Sequence, residues 1–288
     1  MRAITWDITL ESATAKYQIT PLGDVHLGAR ACQEKELQQT VDRIAAEDNH
    51  YWIGMGDLTD GIGRNCGDKR SDEENLASWL WGENRIFERQ RERLLTYLKP
   101  IAGKCLGMLQ GNHEQKVLQY SGQDMFYSVA AALQKEASHE VNLALGYAGF
   151  VRLRFRRDSK ARPSKGGKSS IPITIYASHG YGGGRKAGGK ANKLTDMAVV
   201  SDADLYLFGH VHAPELVTKE SRMSLNQSGK VVNRVYTGVI TGTYLAGYVN
   251  NDITYSERFG FQEVAIGSPT VIIHPCATDP GALIRVTI

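Results

Sequence analysis

The stretch "HYWIGMGDLTD", His50 to Asp60, sets an apolar run against a polar tail. Trp52, Ile53 and Met55 suit a buried strand, while Gly56, Asp57 and Asp60 fall where that strand must end. Four other stretches repeat the arrangement: "KYQITPLGDVH" (16–26), "KCLGMLQGNHE" (104–114), "PITIYASHG" (172–180) and "DLYLFGHVH" (204–212). Between them lie helical patterns at 34–48, 71–98, 122–138 and 190–203. The first, "EKELQQTVDRIAAED", carries Leu37, Val41 and Ile44 at helical spacing. Strand alternating with helix predicts an α/β protein with helices on the sheet faces, and ligands that gather at the carboxyl ends of the strands. From about Val217 onward the chain turns β-rich and glycine-punctuated, which predicts a second sheet packed on the first.

At 288 residues, 42% hydrophobic and 23% charged, the chain has the makeup of a globular protein able to bury a large core, not of a fibrous or disordered one. No repeat or interdomain linker is visible, so residues 1–288 read as one domain with an insertion at about 61–100 and a basic loop at about 156–170. The amino-terminal stretch lacks a long apolar core and no apolar run reaches membrane-spanning length, so the expected compartment is cytoplasmic, with no membrane partner. Four scattered cysteines without C-x-x-C spacing argue against a zinc knuckle or a disulfide framework.

Five of the eight histidines (His26, His113, His179, His210, His212) fall in the strand-end clusters, whereas His50, His139 and His274 stand apart and read as structural. Imidazole, carboxylate and amide oxygen together suit borderline divalent ions such as manganese, iron, zinc or nickel. A pair of ions also needs a bridging ligand, and Asp57 is placed for that. Alternation along an extended segment would set His210 and His212 side by side on one face, with Val211 turned into packing.

The ordered blocks Asp24-x-His26, Gly56-Asp57-x-x-Asp60, Gly111-Asn112-His113-Glu114, Ser178-His179-Gly180 and Gly209-His210-Val211-His212 resemble the calcineurin-like metallophosphoesterase family. That resemblance implies a four-layer α/β/β/α sandwich of two packed mixed β-sheets, with a dinuclear metal site at the strand ends. It implies Asp24, His26 and His212 on the first ion, Asn112, His179 and His210 on the second, and Asp57 bridging both. The two divalent ions, manganese first, with iron, zinc, nickel or magnesium as alternatives, would lower the pKa of a bridging water and align a metal-hydroxide for in-line attack. His113 would stabilise the transition state or protonate the leaving oxygen, and Asp60 would orient its imidazole and raise its pKa. Glu114 reads as supporting rather than catalytic.

The resemblance also directs the choice within the family. Asp60 stands where purple acid phosphatases have a tyrosine ligand, and Gly61 where serine/threonine phosphatases usually have arginine. The remaining pattern is similar to metallophosphodiesterases and DNA-repair nucleases. The expected activity is therefore a phosphodiesterase or nuclease acting on nucleic acid or nucleotides, with a phosphomonoesterase as the alternative and a non-catalytic scaffold as a third reading.

Two basic stretches bear on the substrate. "HGYGGGRKAGGKANKL" (179–194) follows His179 with six glycines and with Arg185, Lys186 and Lys190 as candidate phosphate contacts, the competing reading being a solvated surface loop. Residues 152–168 hold eight basic side chains and one acid, which leaves the rest of the chain net acidic although the total is +3. Within them Arg152, Arg154 and Arg156 alternate with Leu153 and Phe155. They read equally as a half-buried edge strand with a solvated face or as a track for a phosphate backbone.

Overall fold

The computed structural model describes residues 1–10, 12–61, 75–157, 170–183, 186–214, 216–225, 228–250, 254, 256–257, 260 and 262–288. Most of the polar turn 61–75, the basic loop 158–169 and Arg185 lie outside the described residues.

Two six-stranded mixed sheets face each other. The first runs in the order β1 (Arg2–Leu10), β6 (Ala148–Arg157), β7 (Ser170–Ser178), β8 (Leu205–Phe208), β10 (Val231–Ile240) and β9 (Val217–Leu225). The second runs β12 (Ile284–Thr287), β11 (Thr270–Ile273), β2 (Tyr17–Leu22), β3 (His50–Gly54), β4 (Cys105–Leu109) and β5 (Ala144–Gly146). Strands β2 to β5 are parallel, as are β7, β8 and β10, so the loops that follow β2, β3, β4, β7 and β8 can meet at one end of the sandwich.

Alternation builds the middle of the sandwich. Ile4 and Ile8 from β1, Val151, Leu153 and Phe155 from β6, and Ile173 and Ile175 from β7 are buried against Ile19, Ile53, Val271 and Ile273 of the opposing sheet. A second cluster joins the outer face of the second sheet to α1 (Glu34–Ala46), α2 (Ile86–Leu98) and α4 (Met125–Glu136) through Leu37, Val41, Ile44, Leu94, Leu98, Phe126 and Leu133. A third packs α5 (Ala187–Val200) onto Tyr176, Tyr206, Phe208, Tyr236 and Ile240 of the first sheet. These three apolar layers are the α/β/β/α sandwich, with the apolar faces of α1, α2 and α4 covering one sheet and that of α5 the other.

Four local expectations change. The final third does not form its own sheet: β9 and β10 extend the first sheet beside β8, and β11 and β12 extend the second beside β2. A buried alternating strand fits the edge of either sheet, so its pattern alone does not choose between them. The expected long helix over 71–98 is α-helical only from Ile86 among the described residues, preceded by a short 3-10 turn at Ser78–Leu80. Residues 75–77 instead bond to the loop after β2, with the Arg30 amide donating to Asn75 O and the Ala77 amide to Gly28 O, and Gly82 takes a positive φ that a helix excludes. An unanticipated helix, α3 (Asn112–Ser121), begins directly at the third polar cluster. Its signal is Glu114, three residues past Gly111, whose Oε2 accepts the Gly111 amide at 3.0 Å. Finally, β6 is not an edge strand, because β1 covers it in parallel from Arg2 to Leu10.

Candidate metal centre

Each of the five polar clusters sits where the sequence places it, just past the carboxyl end of β2, β3, β4, β7 or β8. Backbone bonds bind the loops together: the Asp24 amide donates to Gly56 O at 2.9 Å, the His26 amide to Asp57 O at 3.0 Å and the Asp60 amide to Leu27 O at 2.9 Å. Gly111 lies so close to Asp57 that a Cβ there would stand 2.1 Å from Asp57 Oδ1. Only glycine lets the third loop reach the second.

The side chains converge in two groups, Asp24 with His26 and His212, and Asp57 with His179 and His210, and in a third that overlaps the first, His26 with Asp60 and His113, each offering ligand atoms within 4.8 Å of one another. Asn112 joins the second group, its Oδ1 standing 3.1 Å from His179 Nε2. His210 and His212 therefore serve different groups, but not through strand alternation. Strand β8 ends at Phe208, and His210 and His212 take left-handed backbone conformations at φ 69° and 48°. Val211 between them is buried in the α5 cluster.

The protonation chemistry shows what these groups are built to hold. His179 Nδ1–H donates to Met55 O at 2.8 Å, which turns Nε2 toward Asn112 Oδ1 and toward Asp57 Oδ2 at 3.4 Å. In the neutral ring these three atoms all present lone pairs, so the point they share demands a cation. Without one the ring itself takes the proton: burial opposes the charge, yet the neighbouring Asp57 carboxylate pushes His179 up to about 10. The other group is arranged alike. His26 Nδ1–H donates to Asp60 Oδ1 at 3.3 Å, leaving His26 Nε2 buried without a partner. Asp24 Oδ2 accepts from the His210 amide at 3.0 Å, while Asp24 Oδ1 faces His212 Nε2 at 3.3 Å and has no hydrogen bond. Orphaned, deeply buried oxygen and nitrogen lone pairs with no thiolate fit divalent ions of the borderline class.

His113 is buried beside both groups, its ring 4.6 Å from that of His26 and its Nε2 3.9 Å from Asp57 Oδ2. The expected pairing with Asp60 takes a different form. His113 Nδ1–H donates to the main-chain carbonyl of Asp60, and the Asp60 carboxylate, 3.5 Å from that nitrogen, makes its hydrogen bond to His26. Either way both rings are held with Nε2 turned toward the cluster. Among the candidate phosphate contacts, Lys186 caps the start of α5 and Lys190 lies on its first turn.

Supporting residues emerge that sequence reasoning left out or underread. Glu114 accepts amide hydrogens from Asp57, Leu58, Thr59 and Gly111 at 2.7–3.2 Å, tying the loop of Asp57 to α3. Burial, then the adjacent Asp57 charge, raise its pKa, while the amide hydrogens oppose that rise. Thr241 and Thr243, both fully buried, hold Asp24 through its Oδ2 and its main-chain oxygen. Nothing in "ITGTYL" (240–245) marks these threonines as supports, because their partner is more than 200 positions away.

The outcome for the basic stretch is equally clear. Ala148 pairs with Ser178 next to the metal groups, and Arg156 pairs with Ser170 at the opposite end of the sandwich. The arginines from 152 to 156 thus lead away from the cluster, and Arg154 and Arg156 bond instead to Asp7 of β1.

Among curated proteins, none matches the chain. Residues 17–214 match the family model of the calcineurin-like phosphoesterases, a span that starts with β2 and ends two residues past His212. The chain belongs to the calcineurin-like phosphoesterase family and is a metal-dependent phosphoester hydrolase.

Proposed function

We propose that this hydrolase is a phosphodiesterase of nucleotides or nucleic acid that works with two divalent ions, manganese first among them. In that reading Asp24, His26 and His212 hold one ion, Asn112, His179 and His210 the other, and Asp57 both. Bound there, the ions would supply Lewis acidity toward the phosphoryl oxygens and an activated water. His113, fixed through Nδ1, presents Nε2 beside Asp57 and donates its proton to the leaving oxygen. The Asp60 carboxylate fixes the tautomer of His26, so its role is to orient a metal ligand as well as to place the acid.

The observation that supports a diester over a monoester is Gly61. A monoester carries about −1.5 to −2 charge at neutral pH and is gripped best by arginine forks, whereas a diester carries one negative charge. At Gly61 φ is +62° and a Cβ would stand 2.8 Å from His113 O, so the turn after Asp60 has no room for such a fork. Lys186 and Lys190, on the helix that follows His179, favour an anionic substrate of some length; Arg152, Arg154 and Arg156 add no support, since they lead away from the site.

The test compares bis(p-nitrophenyl) phosphate with p-nitrophenyl phosphate, which share a phenol, in manganese-loaded protein. Faster turnover of the diester is expected, and preferential turnover of the monoester would overturn the reading. End-labelled single-stranded and duplex DNA then separate nucleic acid from small diesters, with a product ladder expected that disappears in His113→Ala at unchanged metal content.

A further inference from the structure

Two tyrosines outside the five histidine and carboxylate blocks lie near His179. Tyr147 lies in the turn between β5 and β6, 38% exposed, with its ring 6.2 Å from that of His179 and its hydroxyl donating to Gln115 Oε1 at 2.6 Å on α3. The amide of His179 in turn donates to Tyr147 O at 2.9 Å, so the main chain of Tyr147 is tied to His179 while its hydroxyl is anchored on α3. On the β8 side, two residues past His179, Tyr181 is 57% exposed and meets the edge of Phe208 at 5.6 Å.

Tyr181 is not a loose surface ring. Lys193 reaches back from α5, donates Nζ–H to Tyr181 O at 2.9 Å and sets its ammonium 4.8 Å from the centre of the Tyr181 ring. Gly182, at φ +69°, leaves room for that ammonium, since a Cβ there would stand 3.1 Å from Lys193 Nζ. A large aromatic surface is thus held in place next to the candidate ligand His179 yet left partly open to solvent, where the ring area still facing water costs free energy. A planar, polarisable ligand recovers that cost by stacking, and a cation bound at the ring adds to its attraction for one that also carries phosphate.

We infer that Tyr147 and Tyr181, with Lys193 bracing the second, form an aromatic wall on the His179 side of the metal centre that takes the nucleobase next to the scissile phosphate. This rests on the phosphoesterase site and deepens the nucleotide reading, and it is tested independently of diester preference. Adenosine 5′-monophosphate and ribose 5-phosphate differ only in the base, and each is titrated as a competitor of whichever p-nitrophenyl ester the manganese-loaded enzyme hydrolyses. The nucleotide is expected to compete at least about tenfold better, the size of one base–aromatic stack. That ratio should fall toward one in Tyr181→Ala and decline in Tyr147→Ala, and it should be kept in Tyr181→Phe and Tyr147→Phe, which retain the rings. Equal competition in the native enzyme overturns the wall. So does an alanine variant in which both competitors weaken together at a constant ratio, because that is the mark of a displaced loop. Should only the monoester be hydrolysed, the diesterase reading fails while the ratio still decides the wall.

Discussion

The two ends of β7 obey different rules. At the Ser170 end the sandwich is regular: Val151, Leu153 and Phe155 point into the core, Arg152, Arg154 and Arg156 alternate with them, and the charges of Arg154 and Arg156 are met by Asp7 on the neighbouring strand at 2.7–3.0 Å. At the His179 end regularity stops. Of the six non-glycine residues with positive φ among the described ones, five are candidate ligands: Asp24, His26, Asp57, His210 and His212. Each such conformation costs on the order of 1 kcal/mol or more, and it persists only where surrounding bonds fix it. One end of the fold spends backbone strain to make side chains converge; the other uses plain alternation and has nothing to converge on.

The contrast is sharpest at Asp57, which combines a φ of 49°, complete burial and a carboxylate shared among several imidazoles. Those imidazole charges hold its carboxyl well below the usual range despite burial, so it is ionised throughout the neutral region. Asp57→Asn keeps the shape and removes the charge. The expected result is the largest in the molecule: metal content measured by elemental analysis drops from two ions per chain to one or none, and ester hydrolysis is lost. A variant that kept two ions would show that the strained loop serves some purpose other than bringing a shared ligand to the centre.

Glu114 sits between the two regimes, since it binds nothing itself and exists to hold the strained loop. Its carboxylate collects four main-chain amides, three of them from Asp57, Leu58 and Thr59. Glu114→Gln places an amide NH2 against at least one of those donors. A buried donor so mismatched costs about 1–3 kcal/mol of stability, and supports of this kind typically govern metal affinity by about 10–100-fold. Chemical denaturation and manganese titration read the two effects separately. If stability fell and metal affinity did not, Glu114 would belong with the regular end of the molecule.

How much of this was legible in the sequence follows the same division. Layering, strand ends and the residues that converge there could be read because apolar periodicity and polar punctuation are local, and because His, Asp and Asn have few other reasons to gather at strand ends. The reason why His210 and His212 diverge could not, since it lies in two backbone angles rather than in alternation. Thr241, Thr243 and Tyr147 were equally hidden, as their partners Asp24 and His179 are brought to them only by the packing of distant loops. The helix over 71–98 failed for a related reason: Gly28 and Arg30 capture the backbone at residues 75–77 that a helix would need.

The smallest expected effect tests the regular end. Arg154 and Arg156 are part of the most basic stretch in the chain and invite a role in holding a nucleic-acid backbone. Their geometry says otherwise: both guanidinium groups are about half exposed and share one exposed carboxylate, Asp7, on a strand that leads away from His179. Exposed ion pairs of this sort contribute little, because water screens the attraction and ordering the side chains offsets what remains. The double variant Arg154→Ala with Arg156→Ala should melt within experimental error of the native protein. Its kcat/KM on bis(p-nitrophenyl) phosphate should be unchanged, and so should its cleavage of a short DNA oligonucleotide. The informative substrate is a long duplex at low salt. A chain that grips polyanions along this face would lose affinity there and show a shallower dependence on salt, since each phosphate contact removed lowers the slope by about one. An unchanged slope confines substrate recognition to the strained end, where the ligands, the lysines of α5 and the two tyrosines already stand.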